Sequence, residues 1–147
     1  MKILLTGSTG MIGKNILDNV ESSNYEFLCP TSKELDLINY ENTIDYCSQS
    51  LPDMIIHAAG KVGGIKANIQ EPVSFLSDNI QMGINIIMSS QRIGVKKLIN
   101  LGSSCMYPKD KIQPLTEDLI LSGELEPTNE GYALSKIVSQ RLCSYIN

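Results

Sequence analysis

Residues 2–13 read KILLTGSTGMIG, and this stretch decides the fold. Its first five residues are a short, mainly apolar run that predicts a buried strand. Three glycines follow at the spacing G-x-x-G-x-x-G, namely Gly7, Gly10 and Gly13. The residues after Gly10 have helical spacing and predict a helix over Met11–Val20. A strand, a glycine-rich turn and a helix in this order are typical of the first unit of a parallel α/β sheet.

The rest of the chain continues this alternation. With the first run, four apolar stretches predict strands, over Lys2–Thr6, Tyr25–Cys29, Asp53–Ala58 and Lys97–Leu101. Amphipathic stretches between and after them predict helices over Tyr40–Ser50, Pro72–Arg92 and from Asn129 to the end. We therefore expect a doubly wound parallel sheet of Rossmann type, with right-handed crossovers, in one domain over residues 1–147. The segment Tyr107–Pro127, which contains three prolines, is expected to be a surface excursion.

Composition and charge exclude several classes of function. The chain has 147 residues, a net charge of -4 and scattered basic residues, which argues against nucleic acid as a partner. No apolar run approaches the roughly 20 residues needed to span a bilayer, so we expect no membrane partner. The four cysteines and one histidine do not have metal-ligand spacing. We therefore expect no metal, no disulfide framework and a cytoplasmic protein.

The glycine turn predicts a phosphate-binding loop. Gly7 can make a sharp turn, Gly10 lets the backbone approach a diphosphate, and Gly13 lets the helix pack close to the strand. The helix N-terminus offers free N–H groups and a partial positive charge. The alternative is a tight turn without a ligand. The predicted cofactor contacts come from the loop and from the end of the third strand, namely Gly7, Thr9, Gly10, Met11, Ile12, Gly13, Ala58, Ala59 and Gly60.

The end of the second predicted strand bears on the choice of cofactor. An acid there would bind the ribose 2′-OH of NADH and repel a 2′-phosphate. This chain has hydroxyl groups and a lysine instead, in the stretch from Thr31 through Ser32 to Lys33, which favours NADPH. Lys33 could equally be a solvated surface charge. Asp36 follows and could lie near the adenine.

A serine, a tyrosine and a lysine predict a site for carbonyl reduction. Tyr132 and Lys136 are four residues apart in a helical stretch and share one face of it. Ser103 follows a buried strand, at the end where parallel sheets bind ligands. Reduction of a ketone needs a proton donor, and the usual pKa of tyrosine, about 10, is high for this role. We expect the ammonium of Lys136 to lower the pKa of Tyr132, and Ser103 to hold the carbonyl.

These motifs, in this order, resemble the extended short-chain dehydrogenases. More specific stretches resemble the GDP-L-fucose synthase family: KVGGI at 61–65, LGSSCMYP at 101–108 and LEPTNE at 125–130, which leads into YALSK at 132–136. The resemblance covers nearly the whole chain. It implies that GDP-4-keto-6-deoxy-mannose is epimerised at C3 and C5 and then reduced at C4 with NADPH.

The resemblance also implies roles for individual residues. Ser103, Tyr132 and Lys136 would form the reduction triad, with the last two also near the cofactor, and Cys105 would be one epimerisation acid/base. Cys105 lies two residues past Ser103, so both could face one pocket in an extended segment; alternatively, it is a small buried apolar residue. The family's second acid/base is a histidine in a C-terminal substrate domain that we expect to be absent here. His57 is expected to be a packing or hydrogen-bonding residue. The family implies a homodimer.

Three positions depart from the family pattern. Thr9 and Ser32 stand where arginines often bind the 2′-phosphate, so NADH stays open as the cofactor. Gly131 stands where proline is usual, which should loosen the entry to the last helix. Two alternatives to the fucose reaction stay open, a related enzyme for another nucleotide sugar and a dinucleotide-binding fragment without catalysis.

Overall fold

A computed structural model describes residues 1–110 and 113–146 of the chain. Its centre is one parallel sheet of four strands, β1 (Lys2–Thr6), β2 (Glu26–Leu28), β3 (Met54–His57) and β4 (Lys97–Asn100). The strand order is β2-β1-β3-β4. The prediction of a doubly wound parallel sheet is confirmed.

Five α-helices lie in the described part of the chain. They are α1 (Met11–Asp18), α2 (Tyr40–Ser50), α3 (Ile65–Gln70), α4 (Pro72–Ile93) and α5 (Glu130–Ile146). The sequence did not predict α3, and α1 ends two residues earlier than predicted because a short 3-10 turn begins at residue 20. The last predicted helix reaches residue 146, and residue 147 lies outside the described residues. None of these helices is long and apolar enough to cross a membrane.

The main core lies between the sheet and helices α2, α4 and α5. Leu4 of β1 and Ile55 of β3 are fully buried against Ile86 and Ile87 of α4. α4 and α5 approach closely, because a Cβ atom at Gly83 would lie 2.2 Å from the hydroxyl of Ser139. The opposite face of the sheet, beside α1, has an apolar groove of about 740 Å³.

A second, smaller core corrects one sequence prediction. Ile120 and Leu125 are buried with Met106 of the turn after β4 and Ala133 of α5. The segment Tyr107–Pro127 is therefore not only a surface excursion, because two of its apolar side chains are needed to cover α5. Residues 111 and 112 of this segment lie outside the described residues.

The strand order fixes where a ligand can bind. From β1, the chain crosses first to β2 on one side and later to β3 on the other. Parallel sheets open a crevice at such a switch point, at the carboxyl ends of the strands. Gly7 follows β1, Ala58 follows β3 and Leu101 follows β4, so all three reach this edge.

Candidate active site

A crevice of about 930 Å³ opens where β1 and β3 end. Most of the predicted cofactor residues line it, namely Gly7, Thr9, Gly10, Met11, Ile12, Ser32, Ala58, Ala59, Gly60 and Tyr132. Gly13, Lys33 and Lys136 are not among its lining residues: Gly13 is buried beneath the loop, Lys33 is exposed to solvent, and Lys136 is buried. The fold therefore brings the glycine loop and the end of β3 together, as predicted from the sequence.

The three positions of the loop have glycine for different physical reasons. A Cβ atom at Gly7, whose φ is +70°, would lie 2.6 Å from the backbone nitrogen of Ala59. At Gly13 it would lie 2.4 Å from the carbonyl oxygen of Gly7. These two glycines are required by packing within the protein. At Gly10 the nearest protein atom would be 3.3 Å away, and the residue is exposed. Packing alone does not require glycine there, which fits a close approach by a ligand.

The N-terminus of α1 offers backbone donors at this point. Gly10 is its N-cap, and no side chain of the described residues caps it. The first bond into the helix runs from the Lys14 nitrogen to the Gly10 oxygen at 3.0 Å. The N–H groups of residues 11–13 precede that bond and have no partner within the helix. This arrangement fits the diphosphate of a dinucleotide.

The two acids after β2 are held by internal hydrogen bonds. Glu34 Oε2 accepts from the Thr31 backbone nitrogen at 2.8 Å and from its hydroxyl at 2.9 Å. These bonds, the backbone one first, lower the pKa of Glu34. Asp36 Oδ1 accepts from the Ile38 nitrogen at 3.0 Å. Each carboxylate thus uses one oxygen in a local turn, and of the two acids Asp36 lines the crevice.

Tyr132 and Lys136 lie in the first two turns of α5. Lys136 is 8% exposed, and its Nζ donates to the Leu101 carbonyl oxygen at 3.1 Å. Nζ lies 5.8 Å from the centroid of the Tyr132 ring. Burial lowers the pKa of Lys136.

The expected effect of Lys136 on the tyrosine is not found. The pKa of Tyr132 is raised, first by burial and second by the negative charge of Cys105, and a side-chain hydrogen bond with Ser103 offsets this in part. The ammonium of Lys136 lies over the Tyr132 ring and donates to the Leu101 carbonyl oxygen. Its positive charge therefore does little to stabilise the phenolate form of Tyr132. The predicted lowering of this pKa is therefore wrong for this structure.

Ser103 and Cys105 reach the tyrosine through a turn rather than an extended segment. Residues Ser104–Met106 form a 3-10 turn. The Ser103 hydroxyl oxygen caps it by accepting from the Cys105 nitrogen at 3.2 Å. The prediction of an extended segment is wrong because this cap favours the turn. The hydroxyl proton of Ser103 is not used by this bond.

His57 has the structural role that the sequence predicts. It is buried, and its Nδ1 lies 2.8 Å from the hydroxyl oxygen of Thr6; that oxygen accepts from the Ala59 nitrogen at 3.3 Å. Burial first, and the charge of Lys136 second, lower its pKa from 6.5 to about 3. A neutral imidazole therefore ties the ends of β1 and β3 together under the crevice.

Two residues near the site were not given a role from the sequence. Asn79 of α4 holds the loop at Lys61: its Oδ1 accepts from the Lys61 nitrogen at 2.8 Å, and its Nδ2 donates to the Lys61 oxygen at 2.9 Å. Asn129, in the turn before α5, donates from Nδ2 to Cys105 Sγ at 3.2 Å. Neither contact has a sequence spacing that predicts it, since each joins distant segments.

No group of histidine, cysteine and acidic side chains within the described ranges could hold a metal ion. A parallel sheet with this switch point and a glycine-lined crevice, with Tyr132 of α5 lining it and Lys136 one turn further along the helix, is typical of the nucleotide-binding domain of a short-chain dehydrogenase. The chain belongs to the NAD dependent epimerase/dehydratase family, whose pattern it matches over residues 3–147.

Comparison with known proteins narrows this class. The chain is 60% identical to a GDP-L-colitose synthase of Yersinia pseudotuberculosis over 147 residues, which cover 100% of this chain and 48% of that protein. It is 51% identical to a GDP-L-fucose synthase of Azorhizobium caulinodans, over 99% of this chain and 47% of that protein. A structure of a GDP-L-fucose synthetase from Naegleria fowleri bound to NADP has a TM-score of 0.87 at 32% identity, and the match covers 98% of this chain and 47% of the other. The chain thus spans about half the length of the curated relatives that it matches.

Proposed function

We propose that this chain is the cofactor-binding half of an NADPH-dependent epimerase/reductase that converts GDP-4-keto-6-deoxy-mannose to GDP-L-fucose. The observation that carries the proposal is the position of Tyr132, which lines the glycine-walled crevice and interacts with Ser103 and Cys105. A proton donor for a reduction and a thiol for proton exchange next to a ketone are thus within one site. Similarity to relatives named for GDP-sugar synthesis supports the same substrate class.

The raised pKa of Tyr132 keeps the phenol in the protonated form that a proton donor needs, although it makes the phenol a weaker acid than free tyrosine. The phenol stays protonated near neutral pH and can deliver its proton to the C4 oxygen as that oxygen becomes an alkoxide. Ser103, whose proton is not used by its capping role and interacts with Tyr132 in this structure, would donate to the same C4 oxygen when substrate is bound. Lys136, held by the Leu101 oxygen, supports the ring of Tyr132. When bound, the nicotinamide supplies the hydride.

The Ser32 hydroxyl in the crevice and the similarity to a relative whose structure has NADP bound support NADPH as the cofactor. Glu34 and Asp36 each use one carboxylate oxygen in a local turn, and Asp36, which lines the crevice, is the acid that could accept from a 2′-OH. Ser32 lines the crevice and offers a hydroxyl donor. Gly7, Gly10 and the N-terminus of α1 would hold the diphosphate. NADH remains the alternative, because Thr9 and Ser32 supply no positive charge.

Cys105 serves the epimerisation in this proposal. As a thiolate it takes a proton from the carbon next to the ketone, and the bonding electrons stay on the sugar as an enolate. A proton returned to the opposite face completes the inversion, and it must come from a second group.

Substitution of Tyr132 tests the reductase assignment on the full natural protein. Tyr132→Phe should lower NADPH oxidation with GDP-4-keto-6-deoxy-mannose by at least about 100-fold, since general acid catalysis contributes about 10²–10⁴-fold. NADPH affinity, measured by calorimetry, should change little. Tyr25→Phe, at an exposed position away from the crevice, is the control. Turnover by Tyr132→Phe at the wild-type rate would refute the assignment.

A second candidate is favoured by the colitose synthase at 60% identity. GDP-L-colitose lacks the C3 hydroxyl of GDP-L-fucose, so the two activities use different 4-keto substrates. Paired assays with the 3-hydroxy and 3-deoxy ketones, run in D₂O, separate them. Deuterium at both C3 and C5 with efficient use of the 3-hydroxy substrate supports the fucose reaction, and a strong preference for the 3-deoxy substrate supports the colitose reaction.

The proposal includes a cytoplasmic homodimer. A biosynthetic role with a nucleotide sugar and NADPH supports the cytoplasm. Apolar residues exposed on α4 and α5, including Val73 and Val138, support pairing of two copies.

A further inference from the structure

The side chain of Asn129 contacts the thiol of Cys105. Asn129 ends a short 3-10 turn just before α5, and its Nδ2 lies 3.2 Å from Cys105 Sγ in donor geometry. Its other polar atom, Oδ1, is buried and has no hydrogen-bond partner in the structure. The amide nitrogen therefore donates to the sulfur, and the amide oxygen is buried without a hydrogen-bond partner.

The common role of asparagine before a helix does not account for this side chain. An N-cap asparagine accepts a hydrogen bond from a backbone N–H two or three residues later. Oδ1 of Asn129 accepts none. The turn is held instead by Glu126, whose carboxylate accepts from Thr128 and whose carbonyl accepts from the Asn129 nitrogen at 3.1 Å. The side-chain amide of Asn129 is thus not needed to hold the turn.

We propose that Asn129 is the positioning residue for the Cys105 thiol and serves both of its protonation states. The N–H end donates to the thiolate. After the proton has moved from the sugar carbon to sulfur, the amide turns end for end, and Oδ1 accepts the S–H. The proton leaves carbon, the electron pair stays on the sugar as the enolate, and sulfur becomes neutral. The proposal rests on the acid/base role of Cys105 in the proposed function.

Two substitutions of the same shape separate the hydrogen bond from packing. Asn129→Asp keeps the shape, but its carboxylate cannot donate and repels a thiolate. Asn129→Leu keeps most of the volume and removes both polar atoms. Both should leave the turn formed, since its backbone bonds come from Glu126. Both should make the Cys105 thiolate less favourable, and the aspartate should do so more.

The readout is alkylation of Cys105 by iodoacetamide as a function of pH, on the full natural protein and without substrate. Peptide mass spectrometry follows Cys105, and the exposed Cys29 is the internal control. We expect the Cys105 rate at pH 7 to fall about tenfold in Asn129→Leu, because a hydrogen bond to a charged group is lost. It should fall further in Asn129→Asp, and its midpoint should move to higher pH, while Cys29 is unchanged.

The outcomes distinguish this inference from the proposed function. A Cys105 profile that is the same in wild type and both variants overturns the inference, whatever the activity. If the profile moves as expected but Cys105→Ser still exchanges the C5 hydrogen of the substrate with D₂O, the contact stands and the epimerase role fails. A variant that loses its circular dichroism spectrum is replaced by Asn129→Ala, which also lacks a donor and for which the same shift is expected.

Discussion

At the residue scale, substitutions of two loop glycines can separate a glycine that packing requires from one that ligand binding requires. Gly13→Ala should lower the free energy of unfolding by about 3 kcal/mol, because its Cβ would lie 2.4 Å from a backbone oxygen. Gly10→Ala should stay within about 1 kcal/mol of wild type but weaken NADPH binding at least tenfold, since its Cβ would point into the crevice. Gly64→Ala is the control, with nothing within 4 Å of its Cβ. Urea denaturation and calorimetry measure both effects, and wild-type affinity in Gly10→Ala would contradict a phosphate role.

Also at this scale, His57 should make stability depend on pH. Its pKa falls from 6.5 to about 3 on folding, so between these values the unfolded chain binds a proton that the folded chain does not. Its contribution to stability is complete above pH 6.5 and is lost as the pH falls toward 3, with a slope approaching about 1.4 kcal/mol per pH unit. His57→Asn can keep a partner for Thr6 without titrating. The difference in unfolding free energy between the two proteins should therefore vary with pH by this slope, and a constant difference from pH 7 to 4 would exclude the effect.

At the element scale, α4 positions the loop after β2 through one buried side chain. Asn85 is 2% exposed, and its Nδ2 donates to the carbonyl oxygens of Leu37 at 2.8 Å and Ile38 at 3.0 Å. Asn85→Ala should cost about 2–3 kcal/mol of unfolding free energy, because two carbonyls lose their partner, and NADPH should bind more weakly because the loop lines the crevice. Gln81→Ala removes only the bond to Asn85 Oδ1 and is the control. Equal stability of the two variants would show that the loop is held by other contacts.

The sequence could predict elements whose signal is periodic and could not predict those set by single contacts. The bounds of α2 are those predicted, because its apolar positions repeat at the helical period. Helix α3 has only six residues, too few for a period to be read. The turn at Ser104–Met106 depends on one serine hydroxyl, and the raised pKa of Tyr132 depends on burial, which no spacing reveals. Ser103 nonetheless lies at the predicted edge because it follows a parallel strand, whereas Tyr132 and Lys136 reach that edge on α5.

At the scale of the whole molecule, the crevice is assembled from segments far apart in the chain. The glycine loop, the turn after β2, the end of β3 and the start of α5 all meet there. The parallel strands place the first three of these segments at one edge of the sheet, so the sequence could predict that edge as the place of the site. The start of α5 reaches it through the packing of α5 on α4. Two contacts within the site join different elements, the one between Asn79 and Lys61 and the one between Asn129 and Cys105. Only the structure could reveal them.

The outer faces of α4 and α5 lead to a prediction about assembly. Ile86 and Ile87 are buried in the core, so they are not available to a partner. Met88 on α4 and Val138 on α5 are instead 36% and 38% exposed. If these faces pair two copies, a charge at each position would be buried in the interface, at a cost of several kcal/mol. The double variant Met88→Glu/Val138→Glu of the full natural protein should therefore be monomeric by light scattering at a concentration where wild type is dimeric. Ile69→Glu, on α3 and 58% exposed, should leave the dimer intact, and a dimeric double variant would place the interface elsewhere.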